Sequence, residues 1–420
     1  MAHIRRRFVV DRSSRNRDTT ADIDSTAGVH AGEEPNVSTA TLVRLTAAKA
    51  ATNSGFRWVA FFLPTLSAAF GATTAQLTAV LGVGETAGLS GLAIGRHLDR
   101  GRERVVLLSS LVLTVAGSLL ALVGGFASFA VAYFLIMLGV TFVTVAGHTY
   151  LSRRVRYSRR ARAIGLFETS WALALLIGAP AAALMISWFG WRGPFVLFAA
   201  VSGLMLFVMG AAEDDSEVLD DTPAGAVPPR ITASAWILIA ASAAIAITGL
   251  TTVVIAGTWL DEALGVSTGG VGLVAMAFGG AELMASSSSA AMADRAGPRR
   301  STQAALVVTL VGLLVMSRAG SSLLVGAGGL FLFFVGFEFS IVTSFSFVSE
   351  ALPAARGRVL ALNTAVGTVL RGLGIAVSGV LYERFGIHGP VSLSAVTAIV
   401  AFVLLAVAGW NAKRDNTARG

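Results

Sequence analysis

The chain has 420 residues and a net charge of +8, with 55% hydrophobic and only 13% charged residues and a mean hydropathy of +0.74. Soluble domains run near a quarter charged, so no single water-soluble core hides this much apolar surface, and the chain is that of an integral membrane protein. It has no cysteine, which excludes disulfides and thiol chemistry.

Residues 1–40 are polar and read as a disordered cytoplasmic tail. Their run "IRRRFVVDRSS" has the paired arginines of an export signal, but no apolar segment follows it before Thr41. About 20 apolar residues suffice to cross the hydrocarbon as a helix. Such stretches follow at 43–70, 76–98, 104–125, 127–151, 161–187, 192–211, 233–260, 267–292, 301–318, 321–350, 357–383 and 388–410. Helices satisfy their own backbone inside lipid, so an all-α bundle of twelve transmembrane helices is expected. The acidic, proline-bearing stretch 212–232 is a solvated cytoplasmic linker between an N-terminal six-helix bundle, 41–211, and a C-terminal one, 233–410. Residues 411–420 form a second cytoplasmic tail.

The arginines set the orientation. They crowd the connections after the second, fourth, eighth and tenth spans, from Arg96 to Arg104, Arg153 to Arg162, Arg295 to Arg300 and Arg356 to Arg358. The opposite connections hold Arg192, Arg318 and Arg384. Positive short loops stay cytoplasmic, which places both termini and the linker on the cytoplasmic side of the plasma membrane. The net charge is therefore topological, and no nucleic-acid partner is implied.

The two halves repeat. Asp294 follows Asp99 at an offset of about 195 residues, and "YFLIMLGVTFVTVAGHTYLSR" (133–153) matches "LFLFFVGFEFSIVTSFSFVSE" (330–350), with Gly139 on Gly336. Gly95, Asp99, Arg100, Gly101, Arg102 and Arg104 form a G-x-x-x-D-R-G-R-x-R loop, and Asp294, Arg295, Gly297, Arg299 and Arg300 form its second copy. With these motifs and this duplication the chain resembles the major facilitator superfamily over roughly 41–410. The resemblance implies two pseudo-symmetric six-helix bundles that rock about a site near the midplane. The loop residues then form a conformational latch, in which a carboxylate at one helix end binds a neighbouring helix N-terminus or an arginine of the other half. Drug-exporting members of that family carry an arginine in the fourth helix where this chain has Leu135, and of their fifth-helix pattern only Gly178 and Pro180 remain.

Ionisable residues inside spans are functional candidates, because each is costly in lipid unless paired or wet. They are Arg57, Glu85, His148, Glu168, Glu282, Glu338 and Arg371, while Arg44 and Lys49 lie near a helix end and are expected to snorkel. Arg57 lies one turn from Asn53. Arg371 sits thirteen residues past Arg358, about 20 Å from the end of its helix. The two arginines either clamp an anionic solute from both halves or are neutralised by buried acids, Arg371 by Glu338 or Glu282. Glu85 and Glu282 occupy corresponding helices and, with Glu168 near Trp171, are the proton-coupling candidates. Asn53, Arg57, His148, Trp171, Glu338, Asn363 and Arg371 are the substrate-binding candidates.

No phosphate loop, metal-ligand spacing or nucleophile elbow is present, so no enzyme, metal or cofactor is expected. The expected function is a secondary active transporter, working as a monomer, that moves a small organic solute with protons by alternating access. Export leads narrowly, and uptake of an organic anion by proton symport is the alternative. A non-transporting sensor or scaffold is a remote third.

Overall fold

The computed structural model describes residues 37–211, 230–352 and 355–417, apart from the side chains of 157, 158, 161, 289–296, 356, 357 and 411–417. The expected tail residues 1–36, the linker residues 212–229 and the side chains of Asp294 and Arg295 lie outside this description. Every described element is helical: α1 (Thr39–Arg57), α2 (Leu63–Phe70), α3 (Thr74–Glu85), α4 (Ser90–Asp99), α5 (Glu103–Ala121), α6 (Phe126–Arg154), α7 (Tyr157–Leu176), α8 (Gly178–Phe189), α9 (Arg192–Ala211), α10 (Ala233–Glu262), α11 (Thr268–Ala296), α12 (Pro298–Ser317), α13 (Leu323–Glu350), α14 (Arg356–Phe385) and α15 (His388–Thr417). Short 3-10 turns, Val59–Phe61 and Thr86–Leu89, join α1 to α2 and α3 to α4. The first helix thus begins inside the stretch read as tail, and the last continues to Thr417.

Eleven helical stretches among the described residues are long and apolar enough to cross a membrane. The twelfth crossing is α1 with α2, and the unbroken span expected at 43–70 is corrected here. It breaks because Pro64, in the first turn of α2, lacks the N–H that would continue the α1 ladder. α1 alone also carries three charges, Arg44, Lys49 and Arg57. The fifth span divides in the same way at Ile177, where Pro180 cannot donate to Leu176, the last residue of α7. Only the second break, α3 to α4, has no proline, and there Gly88 lies in the turn.

The substantial contacts between the two halves are few. α3 and the Thr86–Leu89 turn pack on α14, α7 and α8 on α11, and α2 with the Val59–Phe61 turn on α10. α3 and α14 meet backbone to backbone: a Cβ on Gly372 would stand 2.6 Å from the Gly82 carbonyl oxygen, so a larger residue cannot fit. At the outer end of this seam the Glu383 carboxylate accepts a bond from the Ala75 N–H at 2.7 Å. This acid caps the N-terminus of α3 from the other half, where the helix dipole favours a negative charge. By contrast α4, which carries the second span to the arginine-rich end, packs on α5 and α6 of its own half. The halves are therefore sealed at the arginine-poor end and part toward the arginine-rich end.

The close approach of α3 and α14 makes a prediction. The chain lacks cysteine, so Thr78→Cys, buried on α3 against α14, reports opening through its labelling by a thiol reagent applied from the arginine-poor side. Adding Gly372→Val overpacks the seam at a cost of about 1–3 kcal/mol and should speed labelling about five- to hundredfold. An unchanged rate would mean that this seam does not seal the site.

Candidate functional site

Five ionisable residues share one depth. Counted from the arginine-poor helix ends, Arg57, Glu85, Glu282, Glu338 and Arg371 stand 11 to 15 residues in, about 17–22 Å at the helical rise. Arg57 of the first half donates to Glu282 of the second at 2.7 Å and to the Trp171 carbonyl at 2.7 Å. Arg371 of the second half donates through Nε to Glu85 of the first at 2.8 Å, with its Nη2 on the same oxygen. Glu282 and Glu85 are thus each held by an arginine from across the joint. Arg371 is neutralised by Glu85, in place of the expected Glu338 or Glu282, because α3 is the helix that α14 faces.

A second group lies two turns nearer the arginine-rich end. Lys49, Asn53 and Arg57 recur every four residues and share one face of α1. Lys49 does not snorkel: it is fully buried, its Nζ 2.6 Å from Glu168 and 4.3 Å from the centre of the Phe167 ring. The carboxylate and the ring face replace the water it would otherwise seek. The same Glu168 oxygen lies 2.7 Å from His148 Nε2. Glu168 and His148 are 36% and 42% exposed, so this group borders the open side. Asn53 reaches Ser170 at 3.5 Å, and its Oδ1 is buried without a partner among the described residues. Trp171 bridges the groups, with its ring 5.3 Å from the Arg57 guanidinium and 5.6 Å from Lys49 Nζ. On α14, Asn363 stands two turns from Arg371 toward the same end, with its Oδ1 also buried and unpartnered. Glu338 is buried beside the Arg57 pair.

The repeated loop does different work from the latch expected of it. Gly101 and Gly297 have φ of +71° and +80°, the left-handed conformation that ends α4 and α11. Arg104 donates to the Gly210 carbonyl at 2.9 Å and Arg299 to the Ala408 carbonyl at 3.3 Å, so each ties its helix to the last helix of its own half. Asp99, Arg100 and Arg102 are exposed, Asp99 bonds nothing among the described residues, and Gly95 faces open space. In this conformation the first latch copy spans no joint.

Glu103, which sequence reasoning passed over, is the buried acid of this region. It is 1% exposed and accepts from Arg153 at 2.6 Å, while Arg153 also donates to the Leu98 carbonyl at 2.7 Å. One arginine thereby clamps the ends of three helices, α4, α5 and α6. The available signal was an acid at the first residue of a helix, where the dipole favours it. In the other half the corresponding recess, about 300 Å³ and lined by Arg299, Arg300, Phe347 and Glu350, reverses the charges.

Comparison with known proteins bears on this geometry. A family model described as Major Facilitator Superfamily matches residues 45–250 and 237–419. An uncharacterised MFS-type transporter, YwfA, of Bacillus subtilis (strain 168) is 26% identical over 266 residues. That match covers 60% of this chain and 63% of the relative, less than two thirds of its length. Among solved structures, a D-xylose-proton symporter superposes with a TM-score of 0.71 at 14% identity, over 88% of this chain and 97% of its own. A bacterial homologue of the human lysosomal transporter Spinster, inward-facing and unoccupied, superposes with a TM-score of 0.68 at 15% identity, over 90% and 96%. Likenesses this remote show the fold alone.

If Arg153 holds three helix ends through Glu103, the two side chains are coupled. Glu103→Gln and Arg153→Gln should each lower the thermal midpoint of the purified protein. The double variant should lose less than the sum, by about 0.5–3 kcal/mol. Strictly additive losses would dissolve the clamp.

Proposed function

The chain belongs to the major facilitator superfamily, and on that premise we propose that it is a proton-coupled secondary transporter of a small organic solute. It works by alternating access, with export the favoured direction. The arginine-rich loops are cytoplasmic, by the rule that short positive loops stay inside, so the described state faces inward. The observation that carries this reading is the crossed pair of ion bridges, Arg57 to Glu282 and Arg371 to Glu85, at the depth where the halves join.

A bridge shared between two bodies breaks when they part. Opening the arginine-poor end separates α3 from α14, and with them Glu85 from Arg371. Breaking a buried pair by losing one partner costs about 3–5 kcal/mol. Such a cost keeps the carrier from opening empty and falls when a bound solute or proton replaces the lost partner. The same bridges weigh against uptake of an organic anion, because both arginines that would clamp it are occupied. Glu85, Glu282 and Glu168 are likewise paired, so a proton reaches them only by displacing a cation. The sides then alternate by rocking of the two bundles.

Glu168 and His148, at the open side, receive the solute first and pass it toward Arg57 along the α1 face. Asp99 and the loop arginines are spent in the outward-facing state, where the arginine-rich ends close. Asp99→Asn should therefore slow turnover more than it weakens binding.

The test is solute-driven proton movement in proteoliposomes with a pH-sensitive dye trapped inside. Glu85→Gln or Arg371→Gln alone should abolish coupled flux, and the charge swap Glu85→Arg with Arg371→Glu should restore a measurable part of it. Flux unaffected by either single substitution would remove the bridge from the mechanism.

A further inference from the structure

Glu338 is the buried acid of the joint that has no partner among the described residues. It is 5% exposed and forms no hydrogen bond or ion pair among the described residues. Its position follows from two parallel helices in register. The rings of Phe278 on α11 and Phe334 on α13 stack with centroids 3.8 Å apart. Four residues further along each helix, one turn nearer the arginine-rich end, come Glu282 and Glu338. The stack sets these two carboxyls on adjoining faces, and the charges of Glu282 and Arg57 both act on Glu338.

The other helices packed on α13 bring no further charge to this level. α10 has ionisable groups only at Asp261 and Glu262, at its arginine-poor end, and α12 only at Arg299 and Arg300, at the other end. Arg371 on α14 is held by Glu85. Two carboxyls therefore feel one guanidinium, which of the two bonds only Glu282. Among the carboxylates, guanidiniums and the Lys49 ammonium, the remaining groups are balanced, Glu85 by Arg371 and Glu168 by Lys49. With every acid ionised, the interior is one positive charge short.

A carboxylate out of water and without a partner binds a proton or a cation, since neither the apolar surroundings nor a second acid nearby tolerates the bare charge. An anionic solute would add to the excess. The aromatic neighbours suit a cation: Phe56 and Trp171, edge to face at 5.9 Å, lie on the Arg57 side, and the Phe278–Phe334 stack on the other. We infer that Glu282, held by Arg57, and the unbonded Glu338 beside it form a monocation site at which a proton and an organic ammonium-type substrate compete. One proton leaves for each cation bound, so the exchange is electroneutral. This deepens the transporter function proposed above and rests on it.

The test reads binding in detergent, separately from transport. Purified wild-type protein in weak buffer with a pH dye should release one proton per bound tetraphenylphosphonium or benzyltrimethylammonium. Acidification should weaken binding about tenfold per pH unit once the site is protonated. Ligand-free protein should show a protonated-carboxyl infrared band that the cation bleaches. Glu338→Gln, with its fold checked by size exclusion and thermal midpoint, should lack the band and release no proton. Glu262→Gln, exposed at the arginine-poor end of α10, should keep both. Persistence of the band or the proton release in Glu338→Gln would overturn the inference. So would binding of neither cation, or binding of benzoate in preference to both. Intact proton release alongside absent proteoliposome flux would instead defeat the transport function and leave the site standing.

Discussion

The structure turns on one constraint: a charge in the low-dielectric joint between two helical bundles must be cancelled by something in reach. Arg57 and Arg371 stand deep in the bundle, and neither bonds an acid of its own half. Each is cancelled by a glutamate of the other half, Glu282 and Glu85. The halves are thus held together by charge at the midplane, and the packing above and below follows from how far they can separate without exposing it.

Above the bridges the seam is close and nearly without side chains. Gly82 and Gly372 put backbone against backbone, and Glu383 fastens the outer end to a helix N-terminus. Below them, past the contact of the Thr86–Leu89 turn with α14, each half is bound to itself. Glu103 and Arg153 join α4, α5 and α6, and Arg104 and Arg299 each tie a helix start to the last helix of the same half. Internal ties at one end and shared ties at the other describe two stiff bodies with a hinge region between them. Two of the breaks at this level, in the first and fifth spans, come from proline and let those crossings bend where the halves touch.

Much of this was legible in the sequence, because lipid makes length and apolarity decisive. The crossings, the arginine-rich ends and the duplication at about 195 residues follow from composition and spacing alone. The pairings do not. In a bundle apolar nearly all round, periodicity fixes no helix rotation, so nothing in "VLRGLG" says that Arg371 faces Glu85 and not Glu338. Lys49 was misjudged for a related reason: ten residues into its helix it could snorkel, and only the approach of α7 with Glu168 and Phe167 makes burial the better solution. The loop glycines were read as part of a latch, whereas their left-handed backbone shows that ending a helix already demands them. Glu103 was hidden among four arginines, where an acid looks like a neutralising surface residue until its burial is seen.

The crossed bridges also bear on why a carrier would keep four ionised groups where apolar residues would pack more cheaply. Replacing a buried ion pair by well-packed hydrophobes is often neutral or stabilising, so stability alone does not explain them. A pair that spans two moving bodies has a different property: its energy depends on the conformation, while an apolar contact slides with little change. A ligand can shift a two-state equilibrium only by as much as its affinities for the two states differ. Charges that are cancelled in one state and exposed in the other give a cationic solute or a proton a large difference of that kind. A joint built only of leucine and glycine would let the halves rock, but nothing carried in the cavity would decide when.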